Sequence, residues 1–286
     1  MKRRSFLALA CAIYPSSPWL ISESYAQSSV TPVTLLSAPL ELGGEWGAPP
    51  QAAARVIERM REVSLSGVRL VSDQQPDKLR VDDHSSGPPA IWLHADPRET
   101  AWIIVDIGPA DWCKLAYQFG HELGHVLCNS WAPTAQPQPP TQWLEEALVE
   151  AFSIRGLGLL AASWEQNPPF AGDRGFAAPI RQYRAGLIES YKKAPTPSVD
   201  VATWFRGYRT PLEQGVGEPE GPAVLAILPE LENHKVCVED LGALNRWPTR
   251  SAVPVEEYLS LWEKSCAEVG ASGHLPVRLR NLLQLG

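Results

Sequence analysis

The chain has 286 residues, of which 44% are hydrophobic, and a formal net charge of −7 at pH 7. A chain of this length and composition can bury a sizeable core in one or two globular domains. Its acidic balance and lack of a basic patch argue against binding to nucleic acid or to an anionic lipid surface. Beyond the N-terminus no stretch reaches about 18 consecutive apolar residues, so the sequence predicts no membrane span.

Residues 1–26 have the organisation of an export signal. Lys2-Arg3-Arg4 form a positive segment, residues 6–14 form a short apolar run, and Ser24-Tyr25-Ala26 offers a small-x-small cleavage site. The paired arginines also resemble a bacterial twin-arginine signal. We therefore expect a periplasmic or secreted product that starts at residue 27. Its net charge is −9, because the signal carries three positive charges and one negative charge.

The segment that follows the signal predicts one helix and three strands. Residues 51–64 carry apolar side chains at helical spacing and predict an amphipathic helix. Apolar runs at 68–71, 90–93 and 102–107 are typical of strands. Polar segments, including residues 82–87, separate these runs and predict turns.

The most informative pattern is H-E-x-x-H at residues 121–125. Apolar residues before and after it recur at helical spacing, and Asp111 is a suitable N-cap for this predicted helix. Two histidines four positions apart lie on one helix face, one turn from each other, so His121 and His125 can reach one metal ion. Glu122 flanks that position as a general base, which predicts metal-assisted hydrolysis. The alternative is that the histidines merely pack on a helix.

Two glycines within this helix need an explanation. Gly120 and Gly124 each cost up to about 1 kcal/mol in a helix interior. A small residue between two ligands permits another part of the chain to approach the helix backbone closely. We expect this close approach to compensate the cost of the glycines in the helix.

A second predicted helix starts after a proline-rich loop, with Thr141 as its expected N-cap. It carries Glu146, which follows His125 by 21 residues and is the predicted third metal ligand. Glu150 lies one turn further along the same face, where it could accept the N–H of a liganding histidine. The alternative is that the glutamates of this helix form a solvated face.

These two helices together resemble the gluzincin metallopeptidases, whose members include the thermolysin and aminopeptidase N types. That family combines H-E-x-x-H with a helix about twenty residues later that reads like W-L-N-E-G-F-A or N-E-A-x-x-D. The resemblance implies that His121, His125 and Glu146 bind Zn²⁺, that Glu122 is the base, and that Glu150 supports a histidine from behind.

The match departs from the family pattern at one position. Glu145 stands where the family usually has Asn, which leaves open which of the two adjacent glutamates binds the metal. Trp143 is in register with the family tryptophan and favours Glu146.

Beyond residue 166 the sequence predicts helices almost throughout. They are expected at 178–193, 199–207, 221–232, 238–245, 254–269 and 275–284. The expected fold class is therefore α+β, and the resemblance to the gluzincins implies a zincin-like fold. A sheet and metal-helix region at 27–165 precedes a helical region at 166–286, with the metal site between them.

Zinc peptidases usually add a Tyr or His that stabilises the oxyanion. Tyr208 follows Glu146 by 62 residues, close to the interval in the gluzincins, and is our candidate. His234, His274 and Tyr183 are the alternatives.

The predicted function is that of an exported zinc metallopeptidase, with Zn²⁺ as cofactor and a peptide or protein as substrate. Glu122 would take the proton of the attacking water and later deliver it to the leaving amine. One alternative is a catalytically silent, zinc-containing binding or scaffold protein with a peptidase-like fold. Another is a metal-free structural helix pair. The presence of Glu122 favours hydrolysis, because a site kept only for structure needs no base.

Four cysteines follow the signal, at positions 113, 128, 237 and 266. An oxidising compartment favours disulfides. Cys113 and Cys128 should lie about 20 Å apart along one helix, too far to pair with each other. We expect either that both bond to the C-terminal pair, in one of two connectivities, or that Cys237–Cys266 forms alone.

Overall fold

The computed structural model of the chain describes residues 33–84, 87–94, 99–109, 111–193, 200–216 and 221–286. The predicted export signal lies outside these residues. The strands are β1 (Leu40–Gly44), β2 (Lys78–Asp83), β3 (Ala90–Ile91) and β4 (Thr100–Val105). The helices are α1 (Pro50–Leu65), α2 (Trp112–Leu127), α3 (Gln142–Gln166), α4 (Ala177–Lys193), α5 (Val201–Glu213), α6 (Gly221–Asn233), α7 (Lys235–Leu241), α8 (Val255–Val269) and α9 (His274–Leu283). A 3₁₀ turn at Arg174–Phe176 precedes α4.

The strands form one sheet with the order β1-β2-β4-β3. β1, β2 and β4 run parallel, whereas β3 pairs antiparallel with β4 and lies at an edge. The sequence predicted β3 and β4, but β1 and β2 were missed, and Asp82-Asp83 of β2 were wrongly assigned to a turn. Both aspartates belong to β2, where side-chain contacts and pairing with β1 and β4 compensate their poor strand propensity. Asp82 pairs with Arg80 at 2.8 Å, and Asp83 accepts the backbone N–H of Ile107 at 3.1 Å.

The predicted strand at 68–71 is wrong. Val68 is buried, but the segment forms no strand and lies against the C-terminal helices instead. The backbone N–H of Arg69 donates to Glu239 at 3.3 Å, and its guanidinium donates to the carbonyl of Gly270 at 2.7 Å. These contacts give Arg69 hydrogen-bond partners without a neighbouring strand. The apolar residues of the segment therefore reflect packing against the protein core and not membership of a sheet.

α2 and α3 pack closely at two glycines of α2. A Cβ placed on Gly124 would lie 2.9 Å from the Cβ of Val149, and one on Gly120 would lie 2.9 Å from the Oγ of Ser153, both on α3. Real Cβ atoms do not approach so closely, so side chains at these positions would force the helices apart. The expected close approach is therefore present, and it brings the histidines of α2 near the glutamates of α3.

α3 is the central helix of the core. It packs against α1, α2, α4 and α6, and most of its residues are buried. Within the described part of the chain it is long and apolar enough to cross a membrane, by length and composition alone. However, 72% of its most apolar window is buried inside the protein, as in the core helix of a globular domain. The expected absence of a membrane span stays a prediction.

A small sheet followed by a mostly helical remainder agrees with the expected α+β class. The predicted C-terminal helices are present with shifts of a few residues at their ends. Residues Val33–Gly286 form one compact unit, and a single hydrophobic core includes residues of both predicted regions. Thr141 precedes α3 but does not cap it, because its hydroxyl donates to the carbonyl of Val253.

The four cysteines that the structure describes are free and buried. The expected disulfides, whether between α2 and the C-terminal helices or as Cys237–Cys266, are therefore not formed. Burial raises the pKa of the Cys113 thiol to about 11 and that of Cys237 to about 12. A neutral thiol in an apolar environment acts as a small hydrophobic side chain, which is the role these four residues have here.

Candidate metal centre

The helix that carries the H-E-x-x-H motif begins where the sequence predicted. The carboxylate of Asp111 accepts the backbone N–H of Lys114 at 2.9 Å and caps α2. Four residues complete slightly more than one helical turn, so His121 and His125 project from the same face. Their ring centroids lie 5.1 Å apart at an interplanar angle of 68°.

The structure brings the three predicted metal ligands together. One oxygen of Glu146 lies 3.4 Å from the Nε2 of His121 and 3.4 Å from the Nε2 of His125. One ligand atom from each of the three residues lies within 4.8 Å of the others. Glu146 comes from α3, so the close helix packing at Gly124 positions the carboxylate opposite both rings.

The opposite nitrogen of each ring faces its own carboxylate. The Nδ1 of His121 lies 3.0 Å from Glu150, and the Nδ1 of His125 lies 2.8 Å from Glu145. Because a carboxylate can only accept, both Nδ1 atoms act as donors. Both Nε2 atoms then direct their lone pairs at one point, together with Glu146, once they are unprotonated. Two imidazoles and one carboxylate are a donor set that suits Zn²⁺.

Two further residues complete the hydrogen bonding, and the sequence indicated neither. The hydroxyl of Tyr117 donates to Glu150, with distances of 2.9 and 3.0 Å to its two oxygens. The side-chain amide of Asn245 donates to Glu145 at 2.6 Å. Tyr117 lies one turn before His121, so helical spacing could have indicated it. Asn245 lies 100 residues beyond Glu145, and no local pattern links them.

The charges of the cluster stabilise one another. Burial by itself would lower the pKa of His121, but hydrogen bonds to Glu146 and Glu150 outweigh it and raise that pKa to about 9. Burial would likewise lower the pKa of His125, which Glu145 and Glu146 raise above its usual value. Burial would raise the pKa of Glu146, yet the two histidines hold it well below the usual range. The two histidines and Glu146 therefore favour one another's charged forms.

Glu122 flanks this cluster without joining it. It is only 4% exposed, yet it lines the cleft beside the two histidines. Burial raises the pKa of its carboxyl group, against the opposing influence of His121 and His125. A raised pKa makes a carboxylate a better proton acceptor near neutral pH.

A cleft of about 220 Å³ opens onto the cluster. One wall is the edge strand β3 with its flanking residues, and the floor is the histidine face of α2. Its lining consists of Pro89, Ala90, Ile91, Leu93, His121, Glu122, His125, Ser130, Pro137 and Glu146. A bound molecule in this cleft would lie against Glu122 and the three converging side chains at once.

The candidate oxyanion donors lie elsewhere. Tyr208 is on α5, partly buried, and stacks on Trp204 with 6.5 Å between ring centroids. Tyr183 is on α4 and packs against Tyr117 at 5.9 Å. None of the four predicted candidates, His234 and His274 included, is among the described residues that line the cleft. The oxyanion role of Tyr208 stays a prediction that the cleft geometry does not support.

Comparison of the chain with protein-family models, with curated proteins and with solved structures returned no match.

Proposed function

We propose that this protein is an exported zinc metallopeptidase of the gluzincin type with a zincin-like fold. The observation that carries the proposal is the convergence of His121, His125 and Glu146 on one point, with Glu122 beside them in a cleft. Two histidine nitrogens and a carboxylate directed at one position, with a further carboxyl group beside them, form the arrangement that a zinc ion and a general base require. The placement of a small sheet beside α2, and of a helical region after α3, supports the zincin-like layout.

His121, His125 and Glu146 would hold the Zn²⁺. Their carboxylate partners fit this role, because a hydrogen bond at Nδ1 orients the ring and strengthens its other nitrogen as a donor. When bound, Zn²⁺ supplies Lewis acidity, which polarises a carbonyl group and makes water more acidic.

Glu122 is the general base of the proposed reaction. It takes a proton from the water that attacks the scissile carbonyl and passes that proton to the leaving amine. Its raised pKa favours both transfers, because the group binds the proton firmly enough to take it and can still release it.

The cleft suits an extended peptide. Among the described residues β3 is the last strand of the sheet, so its outer edge carries backbone groups that no strand of this part of the chain pairs. An extended peptide can add to such an edge and run past the cluster. A second cavity of about 260 Å³ shares His121 and Glu122 with the cleft, and a third of about 290 Å³ shares Glu146. Space on both sides of the cluster favours cleavage within a chain.

Export rests on the sequence alone. Residues 1–26 read as a cleavable signal, and we propose a periplasmic or secreted location for the product. Cell fractionation and N-terminal sequencing of the recovered protein test this, since a start at Gln27 is expected.

The deciding experiment combines metal analysis with a cleavage assay. The purified protein should contain about one Zn²⁺ per chain and cleave members of a quenched-fluorescence peptide library whose ends are both blocked. The Glu122→Gln variant, purified in the same way, is the matched control for a contaminating peptidase. Zinc without cleavage would indicate the silent scaffold, whereas absence of any bound metal would indicate a structural helix pair.

A further inference from the structure

The two histidines of the metal centre are held by hydrogen-bond chains of different origin. His121 is held by Glu150 and Tyr117, which both belong to the α2–α3 pair. His125 is held by Glu145, whose second partner is Asn245 from the distant segment 242–250. We propose that Asn245 is a positioning residue that ties metal binding to the docking of this segment on α2. The inference rests on the proposed metal site but not on hydrolysis.

The chain of contacts leaves the Asn245 amide one orientation. Its nitrogen lies 2.6 Å from Glu145, and its oxygen accepts the hydroxyl of Tyr258 at 2.9 Å. A flipped amide would direct its oxygen at a carboxylate oxygen, which repels it. Tyr258 therefore fixes the orientation of the Asn245 amide, and Asn245 fixes the position of the Glu145 carboxylate. Glu145 in turn fixes the orientation of the His125 imidazole.

The residues of this hydrogen-bond chain are buried, so the loss of one partner is costly. Glu145 and Asn245 are each 2% exposed, and Tyr258 is fully buried. A buried carboxylate oxygen that loses its donor is unfavourable, so Glu145 would turn toward another partner if Asn245 were lost. The oxygen that faces His125 would then shift as well, and the ring would lose its fixed orientation.

The segment 242–250 is fastened to the end of α2 by further contacts. The guanidinium of Arg250 donates to the carbonyls of Asn245 and Asn129, at 3.0 and 2.9 Å. The side-chain amide of Asn129 donates to the carbonyls of Gly242 and Leu244, at 3.0 and 2.7 Å. Docking of the segment thus places Asn245 beside Glu145. Since coupling between two binding events is reciprocal, bound metal should in turn strengthen this docking.

The test compares two asparagines with matched surroundings. Asn245 and Asn129 are both buried, with backbone φ angles of 58° and 62°, and both fasten the same interface. Asn245→Gly removes the contact to Glu145, together with those to Cys128, Ser130 and Tyr258. Asn129→Gly instead removes contacts to Ser72, Gly242 and Leu244, which lie outside the proposed metal centre. Glycine adopts positive φ readily, so neither substitution strains the backbone.

Two readouts separate a positioning role from a structural one. The first is Zn²⁺ affinity, measured by competition with a chromophoric chelator. The second is the imidazole Nδ1–H resonance of His125 in ¹⁵N-histidine-labelled protein, assigned with a His125→Gln variant. We expect Asn245→Gly to weaken zinc binding about tenfold, at the lower end of the range for groups behind metal ligands. It should also shift or broaden the His125 signal and leave the His121 signal in place.

The control should behave differently. Asn129→Gly should lower the thermal stability and leave the His125 resonance in place, because Asn245 still lies beside Glu145 in the docked segment. Its loss of zinc affinity should be clearly smaller than that of Asn245→Gly, since it weakens only the docking. Equal effects of the two variants on zinc affinity, or an unchanged His125 signal in Asn245→Gly, would overturn the inference. If Asn245→Gly does not fold, Tyr258→Phe keeps the ring in the core and removes only the hydroxyl that sets Asn245, with the same expected shift of His125. A wild-type protein that binds no zinc would contradict the proposed metal site, while the resonance would still test the chain of contacts.

Discussion

Glu145 and Glu146 are consecutive in the chain, yet they lie at opposite nitrogens of the same imidazole ring. Glu145 accepts from the Nδ1 of His125 at 2.8 Å, and Glu146 faces its Nε2 at 3.4 Å. Successive residues of a helix point about 100° apart, so two adjacent side chains can reach around one ring. The structure thus separates the two glutamates into one that lies at the proposed metal position and one that contacts the outer nitrogen of a histidine.

Replacement of these two glutamates should therefore have unequal effects. Glu146→Ala removes one of three proposed metal ligands, and we expect its zinc affinity to fall by more than about 100-fold, beyond the range for groups behind ligands. Glu145→Ala removes only the support of His125, which typically costs about 10–100-fold. Chelator competition with both variants beside the wild-type protein measures the difference. The reverse order would show that Glu145 is the ligand.

Loss of the general base should separate metal binding from hydrolysis. Glu122→Gln keeps the size of the side chain but removes its capacity to accept a proton. We expect full zinc content and a loss of turnover of at least about 100-fold, since general acid–base catalysis typically contributes 10²–10⁴-fold. Metal analysis and a peptide-cleavage assay on one preparation check this. Near-native turnover in the variant would exclude Glu122 as the base.

Glu150 should support zinc binding without being essential for it. Its side chain is 5% exposed and contacts His121 and Tyr117, so it is not the solvated carboxylate of the alternative interpretation. Glu150→Ala should weaken zinc affinity about 10–100-fold in a folded protein. Tyr117→Phe, which removes one donor to Glu150, should have a smaller effect in the same direction. A zinc titration in which Glu150→Ala matches the wild type would argue for a role in packing alone.

The cysteines should behave as protected thiols. Because burial raises the pKa of Cys113 to about 11 and that of Cys237 to about 12, little reactive thiolate exists at pH 8. Reaction of the native protein with a thiol reagent should be slow and should accelerate as the pH rises toward these values. In denaturant without a reductant, the chain after the signal should release four thiols per molecule. A count of two thiols, or of none, would show that one or both of the disulfides predicted from the sequence are formed.

The glycine between the two histidines should be essential for the helix packing. Gly124→Ala places a methyl group against Val149, and overpacking of this kind typically costs about 1–3 kcal/mol. We expect a lower free energy of unfolding and weaker zinc binding, because Glu146 moves away with α3. Gly186→Ala is the matched control, since this glycine of α4 is exposed and nothing lies within 4 Å of the added carbon. There alanine should leave stability unchanged or raise it by up to about 1 kcal/mol. Equal stability of Gly124→Ala and the wild type would contradict the close packing.

Local patterns in the sequence predicted most of the helices and the residues that meet at the site. The spacing of His121 and His125 follows from the geometry of one helix, and Glu146 and Glu150 share a face for the same reason. The runs after residue 166 are long and periodic, so their helical state depends little on distant partners. The strands were less predictable. β1 and β2 contain glycine and charged residues that become strand only through pairing with a neighbour.

What the sequence by itself determined is therefore a pair of helices with a metal-binding pattern, because helical periodicity depends only on residues a few positions apart. Tertiary structure decided which glutamate faces the Nε2 atoms of both histidines, since that depends on how closely α2 and α3 approach. It also decided that Asn245 supports Glu145, that Tyr208 lies outside the cleft and that the four cysteines stay free. Each of these depends on contacts between residues far apart in the chain, which only the packed core brings together.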